Sequence, residues 1–344
     1  MGVDSVPLRV VGPGRYAGIC PSCGREGLSS DGRAWSCSCG ASGVFGQGED
    51  GSASDPRHRD VLEAAGFWFS ERLWGPDGAW VRAYLASRGV PREAARRFGL
   101  GWSPRGLDLV KRLLARGYSV DGLLAAGLLE RDRGMYRPRF RDRLVFPVRD
   151  GGGAVLGFAG RALGPSSRKW VNTSGMPKAR ALYGLDVLPV PVSGPVLLVE
   201  GYLDVVVLQS RGWPAVGTMG TSFSAAQADL LAGLGAEVVV LFDGDAPGRR
   251  AACRAVRLLE SRGVPVRVGL LPEGRDPDEL ALSGGLASVV EAAVPGWEFG
   301  MREESAGLPV EEAVSLFASV VAGARDGKER DLRLARAQEL LAAL

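Results

Sequence analysis

Acidic side chains stand where three apolar runs end. Glu200 closes PVLLVEGYLD, Asp243 and Asp245 close VVVLFDGDAPG, and Asp276 and Asp278 follow VPVRVGLL in LLPEGRDPDEL. If those runs are strands of a parallel sheet, their carboxyl ends bring the five carboxylates to one edge, where open α/β sheets collect their chemistry. Asp-x-Asp keeps two negative charges close together, which is unfavourable unless a divalent cation lies between them, and hard oxygen donors suit magnesium or manganese. Gly201, Gly244 and Gly248 would let backbone and phosphate approach, and Asp204, one turn into the following helix, could hold a neighbouring cation or its waters. Any one of these acids could merely cap a helix. Five at the ends of three successive strands point to a metal site.

A second cluster is made of sulfur. Cys20-Pro-Ser-Cys23 is followed, after thirteen residues, by Cys37-Ser-Cys39. Two close thiolate pairs suit a tetrahedral zinc ion. Two disulfides are the alternative, but a bridge within Cys-x-Cys would be strained. Zinc would fold a module too small to hold itself together. Around it, Arg15, Tyr16, Arg33 and Trp35 offer charge and stacking to nucleic acid, while Trp35 reads equally well as packing on the ribbon.

The third feature is a charge imbalance. Between residues 131 and 180 there are twelve Arg or Lys against three Asp, a local balance of +9 in a chain whose total is +3. Basic residues with Tyr136, Phe140 and Trp170 interleaved suit a groove that tracks phosphates, and the strip lacks the interspersed acids of an ordinary solvated face. Arginines number 38 against 4 lysines, and two of those lysines, Lys169 and Lys178, lie in this strip.

The elements that must position these groups follow from the pattern. With 344 residues, 46% hydrophobic and 24% charged, the chain can build two or three cores, and disorder, collagen and a disulfide-stapled scaffold are excluded. One histidine, His58, leaves almost no material for imidazole catalysis. Residues 1–46 read as a zinc ribbon and 47–59 as a linker containing His58. Residues 60–193 read as short helices and a β-hairpin over 143–162, with Pro91 opening one helix. Residues 194–282 alternate strand and helix, and 283–344 are helical. Such alternation implies a doubly wound parallel sheet, one of whose helices is capped by Ser222 or Ser224, and the whole is an α/β chain. Cys253 falls inside a helix pattern and is expected in the core. The start MGVDSVPLRVV lacks a secretory signal, no apolar run is long enough to span a bilayer, and four crowded cysteines suit a reducing compartment, so the expected location is cytoplasmic.

VEGYLD and LFDGDAPGRRA closely resemble the Toprim domain shared by DnaG-type primases, topoisomerases and several nucleases. The resemblance implies Glu200 as its catalytic Glu, Asp243 and Asp245 as its Asp-x-Asp, and Asp276 and Asp278 as the later acidic pair of primases. Further matches follow the order and spacing of the DnaG-type polymerase core: YRPRFRDRLVFPVRD, GFAGRAL, and KWVNTSGMPKARALYGL leading into VEGYLDVVVL. That likeness runs from about residue 14 to the end. It implies that Arg143, Arg161, Lys169, Asn172 and Lys178 bind nucleotide and template phosphates. Trp170 stands where the family usually has Tyr, and Arg168 where it usually has Pro. GRYAGICPSCG and WSCSCGASG look like the primase zinc ribbon, although no histidine is available as a ligand and the second cysteine pair is tightened.

Together these features imply synthesis of short RNA primers on single-stranded DNA by nucleotidyl transfer from ribonucleoside triphosphates, with one structural zinc and catalytic magnesium or manganese. A Toprim nuclease would use the same carboxylates to cut. A non-catalytic zinc and Toprim protein would scaffold repair and bind DNA without turnover. Primases of this type usually continue into a domain that engages the replicative helicase; this sequence stops where that domain would begin, so either a helicase contact is expected to be made differently or the chain is expected to be a truncated or mobile-element relative.

Overall fold

A computed structural model describes the backbone of residues 8–12, 15–19, 26–30, 34–37 and 42–44, and residues 56–343 apart from 133–134, 167 and 221–222, with side chains from residue 58 onward. The chain divides into two units, residues 1–55 and 56–344.

In the first unit, β1 (Leu8–Gly12), β2 (Arg15–Ile19), β3 (Glu26–Ser30), β4 (Ala34–Cys37) and β5 (Ser42–Val44) form an antiparallel meander in sequence order. Cys37 ends β4, in register with Leu28. Arg15 and Tyr16 lie on β2 and Trp35 on β4; across β3, Ser30 is in register with both Tyr16 and Trp35. Cys20, Cys23, Arg33 and Cys39 lie outside the described residues.

The second unit starts with α1 (Pro56–Trp74), so residues 56–59 of the expected linker, His58 among them, form a helical turn instead. Pro56 opens it, as its fixed φ and missing N–H allow at a first helical position. After a 3-10 turn at Pro76–Gly78 come α2 (Ala79–Ser87), α3 (Arg92–Arg97), β6 (Gly101–Ser103), α4 (Asp108–Ala115) and α5 (Val120–Ala125). Pro91 is the residue just before α3 rather than its first. The Ser119 hydroxyl accepts the Gly122 N–H and starts α5. A hairpin of β7 (Leu129–Asp132) and β8 (Met135–Pro138) precedes β9 (Arg143–Arg149) and β10 (Val155–Ala162), which form the expected hairpin about a turn held by Asp150. With β11 (Trp170–Asn172) they make an antiparallel sheet in the order β11-β10-β9-β6. Alternation along β9 divides its side chains. Val145 joins Phe69, Phe140 and Phe158 beneath α1, and Leu144, Phe146 and Val148 face the other way.

The remaining elements are β12 (Val196–Val199), α6 (Tyr202–Ser210), β13 (Ala215–Gly217), α7 (Ala225–Ala232), β14 (Val238–Val240), α8 (Ala246–Glu260), β15 (Val266–Val268), α9 (Pro277–Ser283), α10 (Leu286–Glu291), β16 (Val294–Pro295), α11 (Gly296–Ser305), α12 (Val310–Ala322) and α13 (Gly327–Ala342). The sheet order is β13-β12-β14-β15-β16, parallel except for β16. Ser224 caps α7 through a reciprocal pair of bonds with Gln227. Helices cover both faces of the sheet. Val196, Leu198, Val238 and Val240 pack against α7 and α8, together with the buried Cys253. Leu197, Val199 and Val239 pack against α6, α9 and α10. The second of these cores also contains Leu144, Phe146 and Val148 of β9, so the basic subdomain and the parallel sheet share one apolar interior across the boundary expected near residue 193.

Candidate active site

Strand order reverses at β12, because β13 lies on one side of it and β14 on the other. Glu200 leaves β12 and Asp243 follows β14, so the two face each other across that switch point. The Asp243 N–H donates to Glu200 Oε1 at 3.4 Å. Burial, and then the charges of Asp243 and Asp245, raise the Glu200 carboxyl, with that hydrogen bond opposing them. Asp243 is itself raised by burial and by Asp276 and Asp245.

The loop holding Asp243 has little freedom. Asp245 Oδ1 accepts the Gly248 N–H at 2.7 Å as the cap of α8, so capping and site-building meet in one residue. A Cβ on Gly248 would lie 2.0 Å from the Asp243 carbonyl oxygen, so only glycine permits that approach. A Cβ on Gly201 would lie 2.1 Å from Asp204 Oδ2. Asp204 is therefore folded back beside Glu200's own turn. Burial, then Asp278, Asp276 and Asp243, push its carboxyl up to about 7, offset in part by a hydrogen bond from the Asp278 backbone.

The later acidic pair divides in two. Asp276 is exposed as a residue, and partial burial of its carboxyl, then Asp278 and Glu279, raise it while Arg88 and Lys169 pull it down, which brings Lys169 of the basic strip into the field of the acidic edge. Asp278 is 1% exposed, and its Oδ2 accepts from Arg88 at 2.7 Å. Its other oxygen is buried without a partner. The Arg88 charge, opposed by burial, is favoured on balance by Asp278. Arg88, the C-cap residue just after α2, has nothing local in the sequence that sets it apart among 38 arginines.

The basic residues take up different tasks. Arg143 is buried and donates to the carbonyls of Gly160, Arg168 and Lys169 and to Ser166, so it shapes the loop before Lys169 instead of presenting its charge. Burial and Arg141 depress its pKa. Arg161 lies between the rings of Tyr84 and Trp170, at 5.8 and 5.7 Å. The Asn172 amide oxygen accepts from the Tyr202 hydroxyl at 3.1 Å. Lys178 donates to the Met219 carbonyl at 3.3 Å, in the turn whose Gly220 N–H bonds the Glu200 carbonyl, and burial lowers its pKa. Gln227 and Ser224 bond the carbonyls of residues 178, 179 and 181 and fix that segment. Lys169 alone of the five is exposed with no side-chain bond among the described residues. Of the expected aromatics, Phe140 is fully buried beneath α1 and cannot meet a ligand, Trp170 packs on Phe146 and Tyr202, and Tyr136 is exposed beside Arg131.

Chemically, the edge is a set of hard oxygen donors in which Glu200, Asp204, Asp243 and Asp276 are raised by burial and by neighbouring acids, with one oxygen of Asp278 buried and unpartnered; that donor set fits divalent cations. Among the described residues no three acids are drawn together tightly enough to enclose a single ion.

Residues 68–188 match the DNA primase catalytic core N-terminal domain, and residues 197–281 match the Toprim-like family. The RNA polymerase domain of Mycobacterium tuberculosis primase DnaG superposes with a TM-score of 0.71 at 30% identity, over 83% of this chain and 99% of that one. The chain belongs to the DnaG-type DNA primase family. Within that family, the Aquifex aeolicus primase structure containing zinc-binding and RNA polymerase domains aligns with 97% of this chain and 92% of its own, at a TM-score of 0.66 and 26% identity. The DNA primase of Streptomyces coelicolor is 35% identical over 289 residues, covering 77% of this chain and 45% of the relative. That of Pseudomonas aeruginosa is 40% identical over 260 residues, covering 71% and 39%. The chain thus spans less than half the length of the curated primases it matches. One neighbouring DnaG catalytic domain is bound to single-stranded DNA. No helix among the described residues is long and apolar enough to cross a membrane.

Proposed function

We propose that this chain is a nucleotidyltransferase that synthesises short RNA primers on single-stranded DNA from ribonucleoside triphosphates, in the cytoplasm. The observation that carries the reading is the contact of Asp243 with Glu200 at the switch point, with Asp276 within electrostatic reach of Asp243 and the exposed Lys169 within electrostatic reach of Asp276. Magnesium or manganese held by Glu200, Asp243, Asp245, Asp276 and Asp278, with Asp204 behind them, would neutralise the acids, acidify the attacking 3′-hydroxyl and stabilise the departing pyrophosphate. Lys169 supplies an exposed cation for triphosphate oxygens. Arg161, clamped between two rings, supplies a fixed one. Lys178 and Asn172 flank the site from held positions, and Arg143 sets the loop that carries Lys169. Cys20, Cys23, Cys37 and Cys39 would bind one zinc in the ribbon, where Arg15, Tyr16, Arg33 and Trp35 would meet template.

The test is direct. Purified chain, single-stranded template, ribonucleotides and magnesium or manganese should yield short RNA, and Asp243→Ala should not. Cleavage of labelled DNA without synthesis would instead favour a nuclease.

A further inference from the structure

The aromatic residues of the basic strip are packed away or lie at its edge, yet the strip borders a cleft with an aromatic wall from elsewhere. A cleft of about 810 Å³ lies between α2, the start of β9, the β7–β8 hairpin and the loop after β10. Trp80 of α2 lines it and is 51% exposed, whereas its neighbour Trp102 is 3% exposed. The two rings meet edge to face at 4.9 Å, so the buried indole pins the open one.

The charges around that ring are unevenly satisfied. The cleft's acids are already engaged: Asp142 with Arg105, Asp132 with Arg137 and Glu130 with Arg139. Arg141 and Arg168 line the cleft, are exposed, and have no carboxylate partner among the described residues, while Arg131, also lining it, donates to the Tyr136 hydroxyl at 2.9 Å. Uncompensated cations around a half-open, immobilised indole suit a polyanion that carries flat rings.

The helix also aims this surface. Trp80 and Tyr84 follow one another at four-residue spacing along one side of α2, and Arg88 caps its C-terminus four residues on. Trp80 faces the cleft, Tyr84 lies against Arg161, and Arg88 holds Asp278 of the acidic edge. Two helical turns, about 12 Å of rise, separate the open ring from the residue that grips the acids.

We infer that Trp80 is a stacking platform for an unpaired base of single-stranded DNA, which runs through the arginine cleft and along α2 toward the acidic edge. The inference rests on the reading above that the chain takes a DNA template. It adds the ring on which the strand is seated, and places it outside the basic strip.

The test compares two oligonucleotides of equal length and charge, oligo-dT and a uniformly abasic strand, binding to the full chain at several salt concentrations. Trp80→Ala should weaken oligo-dT binding by roughly 10- to 100-fold, the size of one base–aromatic stack. It should leave abasic binding within twofold and the salt slope unchanged. Trp80→Phe should recover most of the affinity. Equal losses on both strands, or no loss on oligo-dT, overturn the platform. Wild-type chain that binds neither strand overturns the template reading itself, and the platform with it. Because Trp80 is half exposed, an unchanged melting temperature in Trp80→Ala separates lost stacking from lost fold.

Discussion

The acidic edge and the arginine cleft are opposites in construction as well as in sign. At the edge, carboxylates are held on short turns after buried strands, and burial together with neighbouring acids raises Glu200, Asp204 and Asp243, a cost that protonation or a bound cation relieves. In the cleft, charges sit on a hairpin and loops, and each of the three lining acids is paired within ion-pair distance. Rigid, unsatisfied charge makes a catalytic edge whose loss is all or none. Adjustable, partly satisfied charge makes a binding surface whose losses are graded and salt-dependent.

The comparison breaks most decisively at Asp243. Asp243→Ala should lower primer synthesis by at least 10²- to 10³-fold, about 3–4 kcal/mol of transition-state stabilisation, with DNA affinity within twofold. A parallel fall in affinity would merge the two regions into one surface. Next comes Arg88→Ala, which leaves Asp278 buried and uncompensated. The expected loss is about 2–3 kcal/mol of stability, below that of a fully enclosed pair because Arg88 is partly open, and denaturant unfolding measures it. Gly248→Ala should cost up to about a hundredfold in rate through a displaced Asp243 loop while the cleft still binds DNA, so the readout is turnover against affinity.

A smaller effect follows from pH. Where a carboxyl titrates higher folded than unfolded, the folded state holds more protons, and stability falls as pH rises through the gap. Asp204, raised to about 7, dominates, with Glu200, Asp243 and Asp276 shifted the same way. In EDTA, the melting temperature should therefore fall between pH 5 and pH 8, and magnesium should restore it at pH 8. A melting temperature that rises over this range would contradict the strained edge. Smallest of all, Arg168→Ala should weaken single-stranded DNA binding several-fold for all sequences and reduce the salt slope by about one.

Much of this was legible in the residues. The three acidic strand ends, the order of strands and helices and the Ser224 cap needed only pattern, because strand alternation and capping are local. Arg88 and Trp80 were not legible. Each acts through a partner far along the chain, Asp278 for one and Trp102 for the other. Phe140 shows the converse, its neighbours in sequence suggesting a ligand surface and packing turning it inward, and Arg143 lies in the cleft wall with its guanidinium bonded to the carbonyls of Gly160, Arg168 and Lys169.

The sequence by itself determined which chemistry is possible here: carboxylates at the ends of apolar runs, cysteines in knuckle pairs, and a strip of arginine and lysine beside them. Only the tertiary structure decided which charges remain open to a ligand. Exposure and pairing are set by residues distant in the chain, and no window of sequence records which arginine meets a carbonyl, which meets a carboxylate and which is left facing solvent.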